Sequence, residues 1–492
     1  MSKMKNCLAR LLVLCILLGT EACATNKPGN SQSSAGVSAA ASGQIGTAST
    51  TPLDSSKYLG NMLPYPYEKT NFTAAPKGYH PVFIQYVGRH GSRNICRPSY
   101  DKTLCELLSA AEKDKEITPA GTELKNQIEE LMQFEKGRYG QLTKLGRENL
   151  NKLGERTAED YIEIFNDGKP ILGYATNVKR TQDSRDEFFS GFKKIASKNQ
   201  ITTSFYPEQE DPYLRPFDID AKYIDYKNNG AWKKIVEKYT SGTTGESHNK
   251  QILTRFFSIK FYDRLKNGEF QLKDSDGATI LKNPSDAAEN LFNLYMHTAN
   301  LAGEGADFNF KKYFTSDEIA WYAGVFNIDV FYKYGPSMES NNVMAPMSAP
   351  LVKYMIVSSD EALKNKNYAG IFSFAHDNTI APLAAFLEIK GGCESTSDPG
   401  EVANLWSAAK IMPMCSNIQW VFYTNGKNYL VKMLFNEEET AFPVETDSYP
   451  YYNWDDVEAY YGNKAEALGI SLNSTLKDNI KTLKGSDHNG SK

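Results

Sequence analysis

The chain has 492 residues, 41% hydrophobic and 23% charged, enough for a sizeable core and two packed domains, which excludes a disordered or fibrous protein. Its formal net charge of −4 at pH 7 excludes a general attraction to nucleic acid, so any anion site must come from local clusters of Arg and Lys. At the N-terminus Lys3, Lys5 and Arg10 precede the apolar run Leu11 to Leu18. That run is too short to span a bilayer and suits a secretory signal peptide, so residues 1–23 are expected to direct export. Ala22-Cys23-Ala24 reads either as a signal-peptidase site or as the lipidated Cys23 of a bacterial lipoprotein, with Thr20 standing where a lipobox usually has Leu. Residues 24–56 are rich in Ser, Ala, Gly and Thr and read as a flexible linker. The expected location is the periplasm, or the outer membrane through a lipid anchor, of a Gram-negative bacterium. That anchor is the only membrane contact expected.

Cleavage leaves Cys96, Cys105, Cys393 and Cys415 in an oxidising compartment. Of the possible connectivities, Cys96–Cys105 and Cys393–Cys415 are expected because each closes a short loop, with free buried thiols as the alternative. No pair has zinc-finger spacing and the 6 histidines are scattered, so neither a metal nor a cofactor is expected.

The first strand is expected at Pro81 to Val87, a short apolar run ended by Gly88, and helices follow around Tyr100 to Glu112 and Pro119 to Phe134. Another helix opens near Leu142 to Arg147, with Thr143 a plausible N-cap. A second strand, Ile171 to Ala175, leads through Thr176–Arg180 into a helix carrying Phe188 and Phe192. Residues 199–350, long, mixed polar and aromatic, read as a mostly helical insert, including Ser285 to Leu301 and Asp317 to Tyr334. The third strand, Ala369 to Ala375, runs into His376-Asp377 and a helix at Ile380 to Glu388. Late in the chain, Asn425-Gly426 between Ile418–Thr424 and Tyr429–Asn436 signals a hairpin. Strand followed by helix, repeatedly, predicts an α/β fold: a mixed, largely parallel central sheet with helices on both faces, built from residues 57–198 and 351–450. The inserted helical domain is extra, and residues 451–492 read as short helices and a disordered tail.

Three loops follow expected strands, and each carries groups suited to phosphate: Arg89-His90-Gly91-Ser92-Arg93, Lys179-Arg180 and His376-Asp377. In parallel α/β sheets, loops beyond the carboxyl ends of strands meet although they are distant in sequence. A phosphate dianion needs several charge-assisted donors, and the planar fork of Arg matches its oxygens. Gly91 is expected to keep Cβ bulk away where backbone approaches the ligand.

These stretches resemble the histidine acid phosphatases, the phytase-containing branch of the histidine phosphatase superfamily. Arg89 to Arg93 matches that family's RHGxR motif, Ala375-His376-Asp377 its HD motif, and Asn177 to Ser184 the segment supplying a third arginine; Leu142 to Gly146 and Leu434 to Pro443 are weaker echoes. The resemblance implies that His90 is the nucleophile, forming a phosphohistidine. It implies that Arg89, Arg93, Arg180 and His376 bind the phosphate, and that Asp377, held protonated, gives its proton to the leaving alkoxide. The implied substrate is a small phosphate ester, an inositol polyphosphate in phytases and the multiple inositol polyphosphate phosphatases, with no metal required. The latter commonly have His-Ala-Glu where this chain has His376-Asp377. Arg97 and Lys179 are candidates for the substrate rim, set against a reading as solvated surface charge. Two alternatives stay open: a broad-specificity acid phosphatase, and a phosphate-binding lipoprotein without turnover.

Overall fold

In this computed structural model, residues 55–68, 71–340 and 343–485 are described. The expected signal peptide, Cys23, nearly all of the linker and the last residues of the tail lie outside them. Among the described residues no helix is long and apolar enough to cross a membrane.

The apolar run after residue 80 forms β1 (His80–Arg89), whose residues are buried from Phe83 onward. A strand covered on both faces must read as a continuous apolar run rather than an alternating one. The strands that follow are β2 (Ile171–Ala175), β3 (Ile201–Phe205), β4 (Leu272–Lys273), β5 (Thr279–Leu281), β6 (Gly370–Ala375), β7 (Asn417–Thr424), β8 (Tyr429–Phe435), β9 (Glu438–Thr440) and β10 (Tyr452–Asn453). The main sheet has the order β10-β8-β7-β1-β6-β2-β3, with β9 on β8 and a separate β4–β5 pair. From β1 through β6 and β2 to β3 the strands are parallel; β7, β8 and β10 add an antiparallel half. The Asn425-Gly426 turn joins β7 to β8, Gly426 taking φ 87°. This is the expected mixed α/β sheet with helices around it.

Successive residues of β1 point to opposite faces, and each face has its own core. Phe83 and Val87 pack with Ile371 under the helices Ala349–Asn365 and Asp377–Phe386. Ile84 and Tyr86 pack with Phe372 and Phe374 on the other face. There Phe188, from the helix Lys179–Ile195, sits 5.3 Å from Tyr86 and 5.4 Å from Phe374 between ring centroids. The helices Tyr100–Lys113 and Pro119–Glu135 join neither face. Leu104, Leu108 and Ile128 share a third core with Leu291 and Leu294 of Pro284–Thr298, so the helical body draws on both sides of residue 199. The edge strand β3 also lies inside the stretch read as a helical insert. Its residues after Ile201 are exposed, so it lacks the apolar run that marked its neighbours.

The expected disulfides are not formed: Cys96, Cys105 and Cys415 are in the thiol form. Cys105 lies on the helix Tyr100–Lys113 with Sγ 4.0 Å from Glu129 on the next helix, while Cys96 is exposed in the preceding loop. Cys415 is buried, its N–H donating to His90 O at 3.1 Å. Short sequence separation had favoured the pairs, but Cys105 is turned on its helix toward Glu129 and Cys415 is buried at the loop before β7.

Candidate active site

Strand register assembles the site. Arg89 pairs with Ala375 across β1–β6, and Ala175 with Phe374 across β6–β2. The residues that follow, His90, His376 and Thr176, therefore leave the sheet side by side at its carboxyl edge. The His90 and His376 rings are 5.6 Å apart at 72°.

The loop after β1 is fixed by backbone. Asn94 N–H donates to Gln141 O at 2.9 Å and Thr143 N–H to Ser92 O at 3.0 Å. Thr143 caps the helix Lys144–Asp160 by accepting from Gly146 N–H. Gly91 N–H donates to Ser184 Oγ at 3.2 Å, and that hydroxyl donates to Arg180 O at 2.7 Å, tying the first loop to the second. A Cβ on Gly91 would stand 2.8 Å from Gly146 O, and one on Gly146 only 2.1 Å from Ser92 O. Gly91 thus makes room for the helix Lys144–Asp160.

His90 Nδ1 is 2.9 Å from Gly91 O. A carbonyl only accepts, so Nδ1 carries the hydrogen and Nε2 presents its lone pair. Burial, then the charges of Arg180 and Arg89, holds the imidazole well below its ordinary value, so it stays neutral in acid. Arg89 is fully buried. Its Nη1 donates to the carbonyls of Asn61 and Met412, and Nη2 to Asp377 Oδ2 at 3.0 Å. Arg93 is buried too, and its charge acts on His90, Arg89 and Asp377. Arg180 Nη2 lies 3.3 Å from His376 Nδ1, and burial brings this guanidinium down to about 10. All three arginines keep a buried Nε–H without a hydrogen-bond partner among the described residues.

His376 caps the helix Asp377–Phe386, which opens three residues earlier than expected and places its N-terminal N–H groups at the site. Burial, then Arg180 and Arg215, keeps the His376 ring well below its ordinary value. Asp377 differs from expectation. Burial pushes its carboxyl up, but Arg89, His376 and Arg93 outweigh burial and hold it at about 2, so in the unliganded protein it is a carboxylate. Its Oδ2 accepts from Arg89 and from Asn61 Nδ2 at 2.7 Å, and Oδ1 accepts from Asn378 N–H at 3.0 Å.

The two rim candidates have other partners. Arg97 is bound by Asp274 at 3.0 Å and Asp276 at 2.8 Å, both in the β4–β5 turn. Lys179 is exposed and pairs with Asp183 one helical turn on. In their place stands Arg215, which sequence reading missed. Its Nη1 is 3.3 Å from His376 Nε2, and Nε and Nη2 both contact Asp218. Asn61 and Thr176, whose Oγ1 is 3.1 Å from His376 Nε2, were missed as well.

What such a site accommodates is a phosphate monoester: cations for its oxygens, a nucleophilic nitrogen for phosphorus and a carboxyl group for the leaving oxygen. Fold and groups together define a phosphomonoester hydrolase. The chain belongs to the histidine phosphatase superfamily (branch 2), whose sequence model matches residues 82–436. Among solved structures, the Bifidobacterium longum multiple inositol polyphosphate phosphatase in complex with inositol hexasulfate superposes with TM-score 0.77 at 22% identity, covering 83% of this chain and 98% of that one. The same enzyme with phosphate gives 0.73 at 21% identity, covering 84% and 100%. The phytase from D. castellii gives 0.62 at 18% identity, covering 89% and 92%. A comparison with curated protein sequences gave no match.

Proposed function

We propose that the protein is an exported phytase-like phosphatase that hydrolyses inositol polyphosphates through a phosphohistidine. The observation that carries this reading is the juxtaposition, by register of β1, β6 and β2, of His90 with its Nε2 lone pair available, the buried Arg89 and Arg93, the half-buried Arg180, and Asp377 paired to Arg89. Inositol polyphosphate as substrate is supported by the structural likeness to an inositol polyphosphate phosphatase and a phytase. Export, with or without lipid on Cys23, rests on the pattern of residues 1–23.

His90 Nε2 attacks phosphorus as the P–O ester bond breaks, and the ester oxygen takes a proton from Asp377. Arg89, Arg93, Arg180 and His376 hold the three remaining oxygens, stabilising the charge they carry through the transition state. The unliganded Asp377 is ionised, so its proton comes with the substrate: the phosphate's negative charge offsets the arginines that hold the carboxyl down, and its pKa rises. Water then attacks the phosphohistidine, giving a proton to the Asp377 carboxylate; the P–N bond breaks, releasing phosphate and neutral His90.

The test is phosphate release by the purified protein from inositol hexakisphosphate, a sugar phosphate and an aryl phosphate at acidic and neutral pH. An alkaline quench should trap a phosphohistidine that His90→Ala lacks. Equal rates on all three substrates would replace the phytase reading with a broad-specificity phosphatase. Near wild-type turnover by His90→Ala would sink the covalent mechanism.

A further inference from the structure

We propose that Asn61 is a positioning residue for Asp377, and that with Arg89 it selects Oδ1 as the oxygen that carries the proton to the leaving group. The inference rests on the phosphatase reading above. A carboxylate oxygen has two in-plane lone pairs. On Oδ2 both are taken, by Asn61 Nδ2 at 2.7 Å and Arg89 Nη2 at 3.0 Å. Among the described residues Oδ1 receives only Asn378 N–H, leaving one lone pair open. A proton arriving with the substrate is therefore placed on Oδ1, and from there it passes to the ester oxygen as the P–O bond breaks.

The segment around Asn61 is built to hold that amide. Asn61 lies in the short helix Gly60–Met62 and is 8% exposed. Its own carbonyl accepts from Arg89 Nη1, so one residue grips both members of the ion pair. Asn300 Nδ2 donates to Met62 O at 2.9 Å, and Met414 N–H to Leu63 O at 2.9 Å. Gly60 takes φ +52°, and a Cβ there would meet the Phe326 ring at 2.5 Å. Residues 59–63 thus strap the acid from outside the strand loops. The other charged and titratable groups acting on Asp377 are Arg93, Arg180, His376, Tyr223 and Tyr334. Among the described side chains, only Arg89 and Asn61 donate hydrogen bonds to it.

Asn61→Ala removes one donor from the carboxylate and frees Oδ2 to take the proton. For an alkyl phosphate such as inositol hexakisphosphate, the alkaline limb of the kcat profile should move up by about one pH unit, the order expected for one charge-assisted hydrogen bond. Its kcat should fall about tenfold, while an aryl phosphate, whose leaving group needs no acid, keeps its rate within about twofold. The aryl rate also reports that Arg89 and the fold are intact. Asn61→Asp, of the same size, should move the limb further in the same direction, because a second carboxylate disfavours ionisation of Asp377. An unmoved limb in both variants, or equal losses on both substrates, overturns the role of Asn61 and leaves the mechanism standing. A wild type that releases no phosphate overturns the phosphatase reading and this inference with it.

Discussion

Gly146→Ala, a single methyl on a helix that carries no catalytic group, should damage catalysis through the backbone. The new Cβ would stand 2.1 Å from Ser92 O and 2.8 Å from Ser92 N. Ordinary C···O contact begins near about 3.3 Å, so helix or loop must move by about 1 Å. The Ser92 carbonyl cannot swing aside freely because it accepts from Thr143 N–H, at the start of the same helix. Overpacking of this kind costs about 1–3 kcal/mol, and with backbone on both sides the upper end applies. Alanine's helix propensity returns about 1 kcal/mol, leaving a net loss of about 2 kcal/mol. Ser92 sits between His90 and Arg93, so a displacement near 1 Å should also lower kcat/KM about 100-fold. Urea denaturation and steady-state kinetics on an aryl phosphate measure both. Gly324, in the helix Ser316–Tyr334, has nothing within 4 Å of its Cβ position. Gly324→Ala is the control and should gain about 0.5–1 kcal/mol with unchanged kinetics. If Gly146→Ala behaves like Gly324→Ala, the close packing of helix against catalytic loop is refuted.

Asp377→Asn should lower kcat on inositol hexakisphosphate by about 10²–10⁴-fold and on an aryl phosphate far less, because only the poor leaving group needs the proton; parallel losses in a leaving-group series would count against an acid role. Glu135, fully buried and 3.2 Å from His297 Nε2, is pushed up to about 8 by burial. Its folded pKa lies above its unfolded one, so the stability it contributes is complete below about 4.5 and is lost as pH rises through about 8. Glu135→Gln should therefore gain in Tm relative to wild type as pH rises across that window, and a difference independent of pH would show the carboxyl to be ionised. Arg97→Ala should change KM for inositol hexakisphosphate by less than about twofold, since its charge is already balanced by Asp274 and Asp276; a large rise in KM would return Arg97 to the substrate rim.

The parallel core of the sheet and the three loops that meet at its edge were legible because each buried strand wrote its own signal. β1, β2 and β6 are short apolar runs, and the chemistry begins at the residue where each run stops: Arg89, Thr176 and His376. Periodicity also marked the long helices Pro119–Glu135 and Ser316–Tyr334, and hydroxyl capping marked the start of Lys144–Asp160. The weaker echo Leu142 to Gly146 now has a cause, since Leu142 bridges to Arg93 and Gly146 packs against Ser92. The low pKa of Asp377 in the unliganded protein was not legible, because a motif names a group without its surroundings. The guanidiniums of Arg89 and Arg93 beside one carboxyl help reverse the effect of burial, and only geometry shows how close they stand.

Arg215 shows most clearly where local patterns stop. The rule that found the other loops, strand first and charged residue after, also covers Arg215, which lies in the connection beyond β3. The rule did not reach it because β3 is an edge strand exposed after Ile201, and a strand with water on its open side has no need of apolar residues. Ile-Thr-Thr-Ser-Phe still carries β-branched residues, the one local signal that a fourth parallel strand was there. Asn61 had no such signal. It lies on a single turn of 3-10 helix, too short for any periodicity, and its partners Arg89 and Asp377 are 28 and 316 residues away. The groups that perform a reaction can follow a strand pattern because the sheet delivers them to one edge. A group that tunes them is free to arrive from any segment that reaches the same edge, so its place is written only in the folded chain.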